Sequence, residues 1–345
     1  MKHLLQYIAK PGQSNNCFIR CGTQKGSVVM IALWVAAFII GVALIVWGAE
    51  AFAEHLSAAS VGLGVSSFAL ALLLAGAEPE ELATVVTAAL KGAPGIAIGD
   101  VIGTNVAICL VALGVGALVA PLPFRGSVRR YALAGLPLGA IAAWVAWDGE
   151  VSRLEGGLLV LLYVAFVAVI WRLERRAPVL GEAGEIEEAR QSKAPRRIGR
   201  DLGFVLAGVV AMMVGAILLV EAVQRVAGGE ALETKLGLTV VGFATGFELV
   251  VLAWSTARRG VTEAAIAGVV GSFAYNVTMT LGAGALTQPL TIANAPVLHA
   301  PWIAMLAALG LVLVLSWRGG VLSRSSGVVL LSVYPVYVAM VAFAG

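Results

Sequence analysis

Between Ala264 and Trp317 the chain runs for 54 residues without an Asp, Glu, Lys or Arg. A helix crosses a bilayer in about 20 mostly apolar residues, so this run is long enough to cross twice. Gln288-Pro289 and Asn294-Ala295-Pro296 interrupt it, and such turn-forming clusters mark where the chain reverses. The same reading elsewhere gives spans over Val28–Val46, Val61–Leu90, Ile96–Ala120, Tyr131–Trp147, Leu158–Trp171, Leu202–Val220, Leu236–Ala257, Ala264–Leu286, Val297–Trp317 and Gly327–Ala344. The expected fold is an all-α membrane protein of ten transmembrane helices. Composition agrees, with 60% hydrophobic and 12% charged residues, where soluble domains are about one-quarter charged. A soluble multi-domain protein would need a core with almost no surface. That excludes this class, together with disordered chains and nucleic-acid binders. The 41 glycines suit close helix packing in lipid.

The hydrophilic stretch Arg172–Asp201 divides the spans five and five. It carries eight Lys/Arg, six Asp/Glu and two prolines without apolar periodicity, and reads as a cytoplasmic linker. The chain then divides into a tail (1–27), a first five-helix unit (28–171), the linker (172–201) and a second unit (202–345). With the linker inside, the inner segments hold 15 Lys/Arg and the outer loops only Lys91, Arg153, Arg225 and Lys235. The positive-inside rule therefore places both termini outside. Four basic residues in the tail run against this assignment, and Met30 is an alternative start. Cys17 and Cys21 are read as an unconstrained pair in a loose tail, because no matching ligand pair follows.

Spacing reveals an internal repeat. Gly92 and Gly260, Gly103 and Gly271, and Gly114 and Gly282 are each 168 residues apart, in matching local contexts. Because each half holds an odd number of spans, the second copy is inverted relative to the first. Inverted repeats with helices broken near the midplane are an architecture of secondary transporters.

Acidic residues inside apolar segments carry the chemistry. Glu78, Glu80 and Glu81 stand in Gly76-Ala77-Glu78-Pro79-Glu80-Glu81-Leu82, and Glu248 ends Gly242-Phe243-Ala244-Thr245-Gly246-Phe247-Glu248. A carboxylate at the bilayer centre costs roughly 2.5–3.5 kcal/mol on insertion scales. Adjacent Gly and Pro break the helix and free carbonyls that can face a cation. Oxygen-only donors suit hard ions such as Ca²⁺. Facing polar groups come from Asp100, Thr104 and Asn105 in one half and Ser272 and Asn276 in the other. Ordinary packing with satisfied side chains is the bland alternative for each, and Asp100 and Glu263 are also placed to cap helix starts.

The two blocks resemble the α-repeats of the cation/calcium antiporter superfamily, the sodium/calcium exchanger group. The family pattern, roughly G-T-S-x-P-E-L, K-G, G-N-x-x-G-S-N and Leu-Gly, is met in order by Gly76–Leu82, Lys91-Gly92, Gly99-Asp100, Gly103-Thr104-Asn105 and Leu113-Gly114. The second half matches with Glu248-Leu249, Arg259-Gly260, Gly271-Ser272 and Leu281-Gly282. The resemblance implies ten helices in a 5+5 inverted arrangement, with one glutamate per repeat on a shared cation site. The family glutamate follows proline, which selects Glu80, whereas counting back from Lys91-Gly92 selects Glu81. Glu80 is preferred because the 168-residue offset pairs it with Glu248. Phe247 replaces the second proline, and Phe273 stands where the family has a polar residue.

The expected function is exchange of Ca²⁺ or a similar cation for Na⁺ across the plasma (inner) membrane, with no cofactor. Glu80 and Glu248 would form the site, with Asn105, Thr104, Asn276, Ser272, Glu81, Glu78 and Asp100 as further candidates. A proton-coupled exchanger of the same fold is the first alternative, suggested by the extra carboxylates. A non-transporting scaffold or sensor is the second, suggested by Phe273. No nucleophile triad, phosphate loop or Cys/His cluster points to an enzyme, and no hydrophilic segment is long enough for a nucleotide domain. The expected partners are small inorganic cations and lipid, and no nucleic acid.

Overall fold

A computed structural model describes residues 13–62, 78–174, 198–259, 263–317 and 319–343. Helix α1 spans Gln13–Gly62, about 75 Å at 1.5 Å per residue, and so exceeds the ~30 Å hydrocarbon core. Part of the expected loose tail is thus helical, beginning two residues beyond Pro11, which is itself outside the described residues. Next come α2 (Pro79–Leu90) and α3. The latter runs over Pro94–Ala107, widens into a π-turn at Ile108–Ala112 and continues over Leu113–Val119. After β1 (Leu122–Pro123), α4 (Gly126–Val145) and β2 (Glu150–Val151), the first half ends with α5 (Arg153–Glu174).

The second half opens with α6 (Ile198–Ala227) and α7, which runs over Glu230–Leu236, a π-turn at Gly237–Val241, and Gly242–Thr245. It continues with α8 (Phe247–Arg259) and α9, built from Glu263–Tyr275, a π-turn at Asn276–Thr280, and Leu281–Thr287. β3 (Leu290–Thr291), α10 (Pro296–Trp317), β4 (Val321–Leu322) and α11 (Arg324–Phe343) complete it. Eight stretches of the described residues are long and apolar enough to cross a membrane. The expected second span falls partly on residues 63–77, outside the described residues, and α4 occupies the place of the fourth. Both ends of the expected linker are helical, over Arg172–Glu174 and Ile198–Asp201; residues 175–197 lie outside the described residues.

The repeat is visible in the elements themselves. The π-turns of α3 and α9 begin at Ile108 and Asn276, and β1 and β3 at Leu122 and Leu290, again 168 apart. Helices α1 and α6 open the two halves, and they pack antiparallel. A Cβ on Gly41 would come within 2.8 Å of Gly215 O, and one on Gly48 within 2.7 Å of Gly208 O. Equivalent helices running in opposite directions are the signature of an inverted repeat. Two further contacts obey the same symmetry: Gly114 faces Gly327, and Gly282 faces Gly156. Absent side chains let these backbones approach closely, which is how helices gain dispersion energy where lipid removes the hydrophobic incentive to associate.

Two short ladders tie the halves together. β1 pairs antiparallel with β4, Leu122 opposite Leu322, and β2 pairs with β3, Val151 opposite Leu290. The buried core runs through α3 and α9, whose residues Pro94–Val119 and Ile266–Thr287 are the most enclosed of the membrane-crossing segments.

Candidate functional site

In both halves a helix begins at the same register. Glu78 has non-helical backbone angles (φ −90°, ψ 85°) and precedes Pro79 at the first helical position, where proline's missing N–H is no loss. In the other half Gly246 makes a one-residue turn between α7 and α8, 168 residues later. Glu80 and Glu81 therefore occupy the first turn of α2, and Glu248 the first turn of α8. Helix N-termini carry partial positive charge that favours carboxylates there.

Packing settles which residues of α2 and α8 are equivalent. Gly116 on α3 lies against Ala253, and Gly284 on α9 lies against Val85. Gly116 and Gly284 are repeat mates at 168, so Val85 and Ala253 are mates as well. The same offset makes Glu80 the counterpart of Glu248, and Glu81 the counterpart of Leu249.

The polar side chains gather into two groups. In the first, Asn276 Nδ2 donates to Glu78 Oε2 at 3.1 Å, and Thr280 Oγ1 donates to Asn276 Oδ1 at 3.3 Å. Glu248 lies near enough to act electrostatically on both Glu78 and Glu80. In the second, Thr104 Oγ1 is 3.2 Å from Glu81 Oε2, 3.1 Å from Gly242 O and 3.1 Å from Thr245 Oγ1. Thr245 Oγ1 in turn lies 2.8 Å from Asp100 Oδ1. Each hydroxyl has a single proton, so only some of these contacts are donated at once. Asp100 is six residues inside its helix, not at a cap.

Ser272 lies within reach of Glu78 in the first group, and both it and Asn105 also bond to a carbonyl of their own helix. Asn105 Nδ2 donates to Val101 O on its own helix at 2.9 Å, and Ser272 Oγ donates to Gly268 O at 3.2 Å. The Phe273 ring lies against Gly135 and Gly139 of α4, where it fills the space two missing side chains leave. Thr245 and Thr280 were not singled out from sequence, although a hydroxyl inside an apolar helix was a visible signal. The carbonyl of Gly242 gave none, since every residue has one.

Electrostatics defines what the arrangement can accept. Glu78, Glu80, Glu81, Asp100 and Asn105 are at most 3% exposed. Each has one side-chain oxygen without a hydrogen-bond partner: Glu78 Oε1, Glu80 Oε2, Glu81 Oε1, Asp100 Oδ2 and Asn105 Oδ1. None of the four carboxylates enters a described ion pair, and Lys91, at the end of α2, is engaged by Glu221 at 2.8 Å. Buried acceptors left unsatisfied cost roughly 1–3 kcal/mol each, and more when charged. A cation or proton is the species that relieves such a set. Among the described residues no three His, Cys, Asp or Glu side chains converge as in a preformed metal centre.

The chain is similar to known proteins along almost its whole length. The family model described as "Sodium/calcium exchanger protein" matches residues 33–172 and 201–343. An uncharacterised membrane protein of Methanocaldococcus jannaschii is 25% identical, covering 90% of this chain and 98% of its own length. The sodium/calcium exchanger MaX1 of Methanosarcina acetivorans is 26% identical, over 89% of this chain and 98% of its own. A solved structure of the sodium-calcium exchanger NCX_Mj, soaked with Na⁺ and without Ca²⁺, superposes with a TM-score of 0.58 at 24% identity. That match covers 90% of this chain and 99% of the other and shows a shared fold. With inverted halves, carboxylates in the first turns of equivalent helices and a family match across each half, this multi-pass membrane chain belongs to the sodium/calcium exchanger family of cation antiporters.

Proposed function

We propose that this chain is a secondary antiporter exchanging Ca²⁺, or a divalent cation of similar size, for Na⁺. The observation that carries the reading is the placement of Glu80 and Glu248 at equivalent positions of the two repeats, beside buried acceptor oxygens that lack partners. Glu80 and Glu248 are the shared ligands. Glu78, Asn276, Thr104 and Asp100 complete the polar surroundings, with Glu81, Asn105 and Ser272 as further donors in reach of small rearrangements. MaX1 carries the name of a sodium/calcium exchanger, which favours this ion pair over others.

Coupling follows from charge. Several carboxylates close together at low dielectric repel strongly, so the site cannot reorient across the bilayer with nothing bound. It crosses with one divalent ion or with the driving ions, and the exchange is obligatory. The membrane is the plasma membrane, with both termini outside and the segment between α5 and α6 inside.

A second reading, with protons as driving ions, is favoured by the Glu81 and Asp100 carboxylates, which share contacts with Thr104. Uptake of ⁴⁵Ca²⁺ into proteoliposomes, with Na⁺ and H⁺ gradients imposed separately, decides between them. Uptake driven by an outward Na⁺ gradient supports the first reading, and uptake driven only by a proton gradient supports the second. If neither drives uptake of any divalent ion, the exchange reading fails.

A further inference from the structure

Helices α4 and α10 pack antiparallel, with Gly135 against Leu309 and Gly139 against Leu306. Toward the start of α4 they separate into a groove of about 760 Å³, lined by Leu133, Leu136, Gly310, Leu313, Val314 and Trp317. That volume is within the range of about 300–1,000 Å³ typical of small-ligand sites. The groove opens outward: Leu133 is 43%, Trp317 59% and Val314 71% exposed. On a membrane-spanning bundle, such a face meets acyl chains. Gly310 makes the groove possible, since a Cβ placed there would meet nothing within 4 Å.

The mouth of the groove is charged. The Arg129 guanidinium sits 4.2 Å from the centre of the Trp317 ring. Stacking on an aromatic face leaves the N–H edge of a guanidinium free to grip a phosphate, and tryptophan favours the headgroup level. Arg130 follows directly, and Arg125 and Arg324 stand on the adjoining segments. Glu78, Glu80, Glu81 and Asp100 are buried in the core, yet α4 and α10, which line this groove, contain no Asp or Glu. The described ion pairs do not include Arg129. Basic pockets between transmembrane helices recognise anionic headgroups.

We propose that the α4–α10 groove is a binding site for an anionic diacyl phospholipid, its phosphate held by Arg129 over Trp317 and one acyl chain lying along Gly310. The site is separate from the cation-binding residues and does not depend on which ions are exchanged.

The test uses the full chain, purified in detergent and stripped of lipid. Dioleoyl phosphatidylglycerol or dioleoyl phosphatidylcholine is added and retention is read by native mass spectrometry. One phosphatidylglycerol should be retained about fivefold or more better than phosphatidylcholine, the scale of a single arginine at a membrane surface. Arg129→Gln should remove about that factor for phosphatidylglycerol alone, and Arg129→Lys should restore part of it. Gly310→Leu fills the groove and should weaken both lipids, with thermal stability unchanged. If Gly310→Leu unfolds, Val314→Trp plugs the same groove from its lipid-facing side and gives the same readout. Equal retention of the two lipids, or an unchanged preference in Arg129→Gln, overturns the proposal. So does a lipid-free dimer that the groove-filling substitution dissociates, because a second copy would then be the occupant.

Discussion

Glu80 and Glu81 are neighbours in sequence with different surroundings. Glu80 shares the field of Glu248 across the repeat axis, while Glu81 contacts Thr104 beside Asp100. Glu80→Gln and Glu248→Gln each preserve shape but remove a charge, and each should abolish divalent exchange in proteoliposomes. The expected loss is at least about 100-fold, in line with the roughly 3–5 kcal/mol cost of breaking a buried charge pair. Glu81→Gln should be milder. An inactive Glu81→Gln beside an active Glu80→Gln would shift the assignment by one residue, and unchanged flux in all three would end it. Phe273 stands where the family has a polar residue, and its ring packs on the glycines of α4. Phe273→Ala should therefore cost about 3–5 kcal/mol of stability in thermal unfolding without altering the number of ions moved per cycle. A changed ion count at unchanged stability would place the ring at the site after all.

Among elements, the close helix pairs invite the sharpest test. A Cβ on Gly215 would lie 2.6 Å from Gly41 O, which is backbone and cannot step aside. Gly215→Val should lower the unfolding midpoint, with overpacking costs typically about 1–3 kcal/mol, whereas Gly203→Val, where nothing lies within 4 Å, should not. A midpoint equal for both would mean that α1 and α6 separate without penalty. The sequence made this level of organisation readable where small residues recur: Gly103 and Gly271, or Gly114 and Gly282, report the 168-residue offset before any coordinates. It was silent where geometry depends on partners far along the chain. Nothing local distinguishes the π-turn at Ile108–Ala112 from regular helix, because a widened turn keeps the same residue preferences. The strands β1–β4 are two residues each, too short for any alternation to register. Glu78 and Asn276 meet across 198 residues, and only the folded arrangement of α2 and α9 places them together. The choice between Glu80 and Glu81 was ambiguous because Pro79 and Lys91 imply different registers; the matched Val85 and Ala253 contacts align Glu80 with Glu248 in the repeat.

For the whole molecule, orientation and pH response are the accessible observables. A cysteine introduced at Glu185 should react with membrane-impermeant reagents only from the cytoplasmic side, and labelling in intact cells would invert the assignment. Protons compete with cations for carboxylate oxygens, so divalent affinity in proteoliposomes should weaken steadily as pH is lowered; a flat profile would argue that the carboxylates do not contact the ion. The two ladders that join the halves also bear on how the protein is made. Leu122 waits for Leu322, so the ribosome must deliver 200 further residues before the first strand finds its partner. During that interval the first half stands with Glu80 and Glu81 lacking their opposite half, the kind of incompletely packed intermediate most prone to misassembly. Halves produced as separate polypeptides should accumulate when co-expressed, while the first half alone should be short-lived in a pulse-chase measurement. Ribosome stalling within the second half would then control the yield of this protein more strongly than stalling within the first.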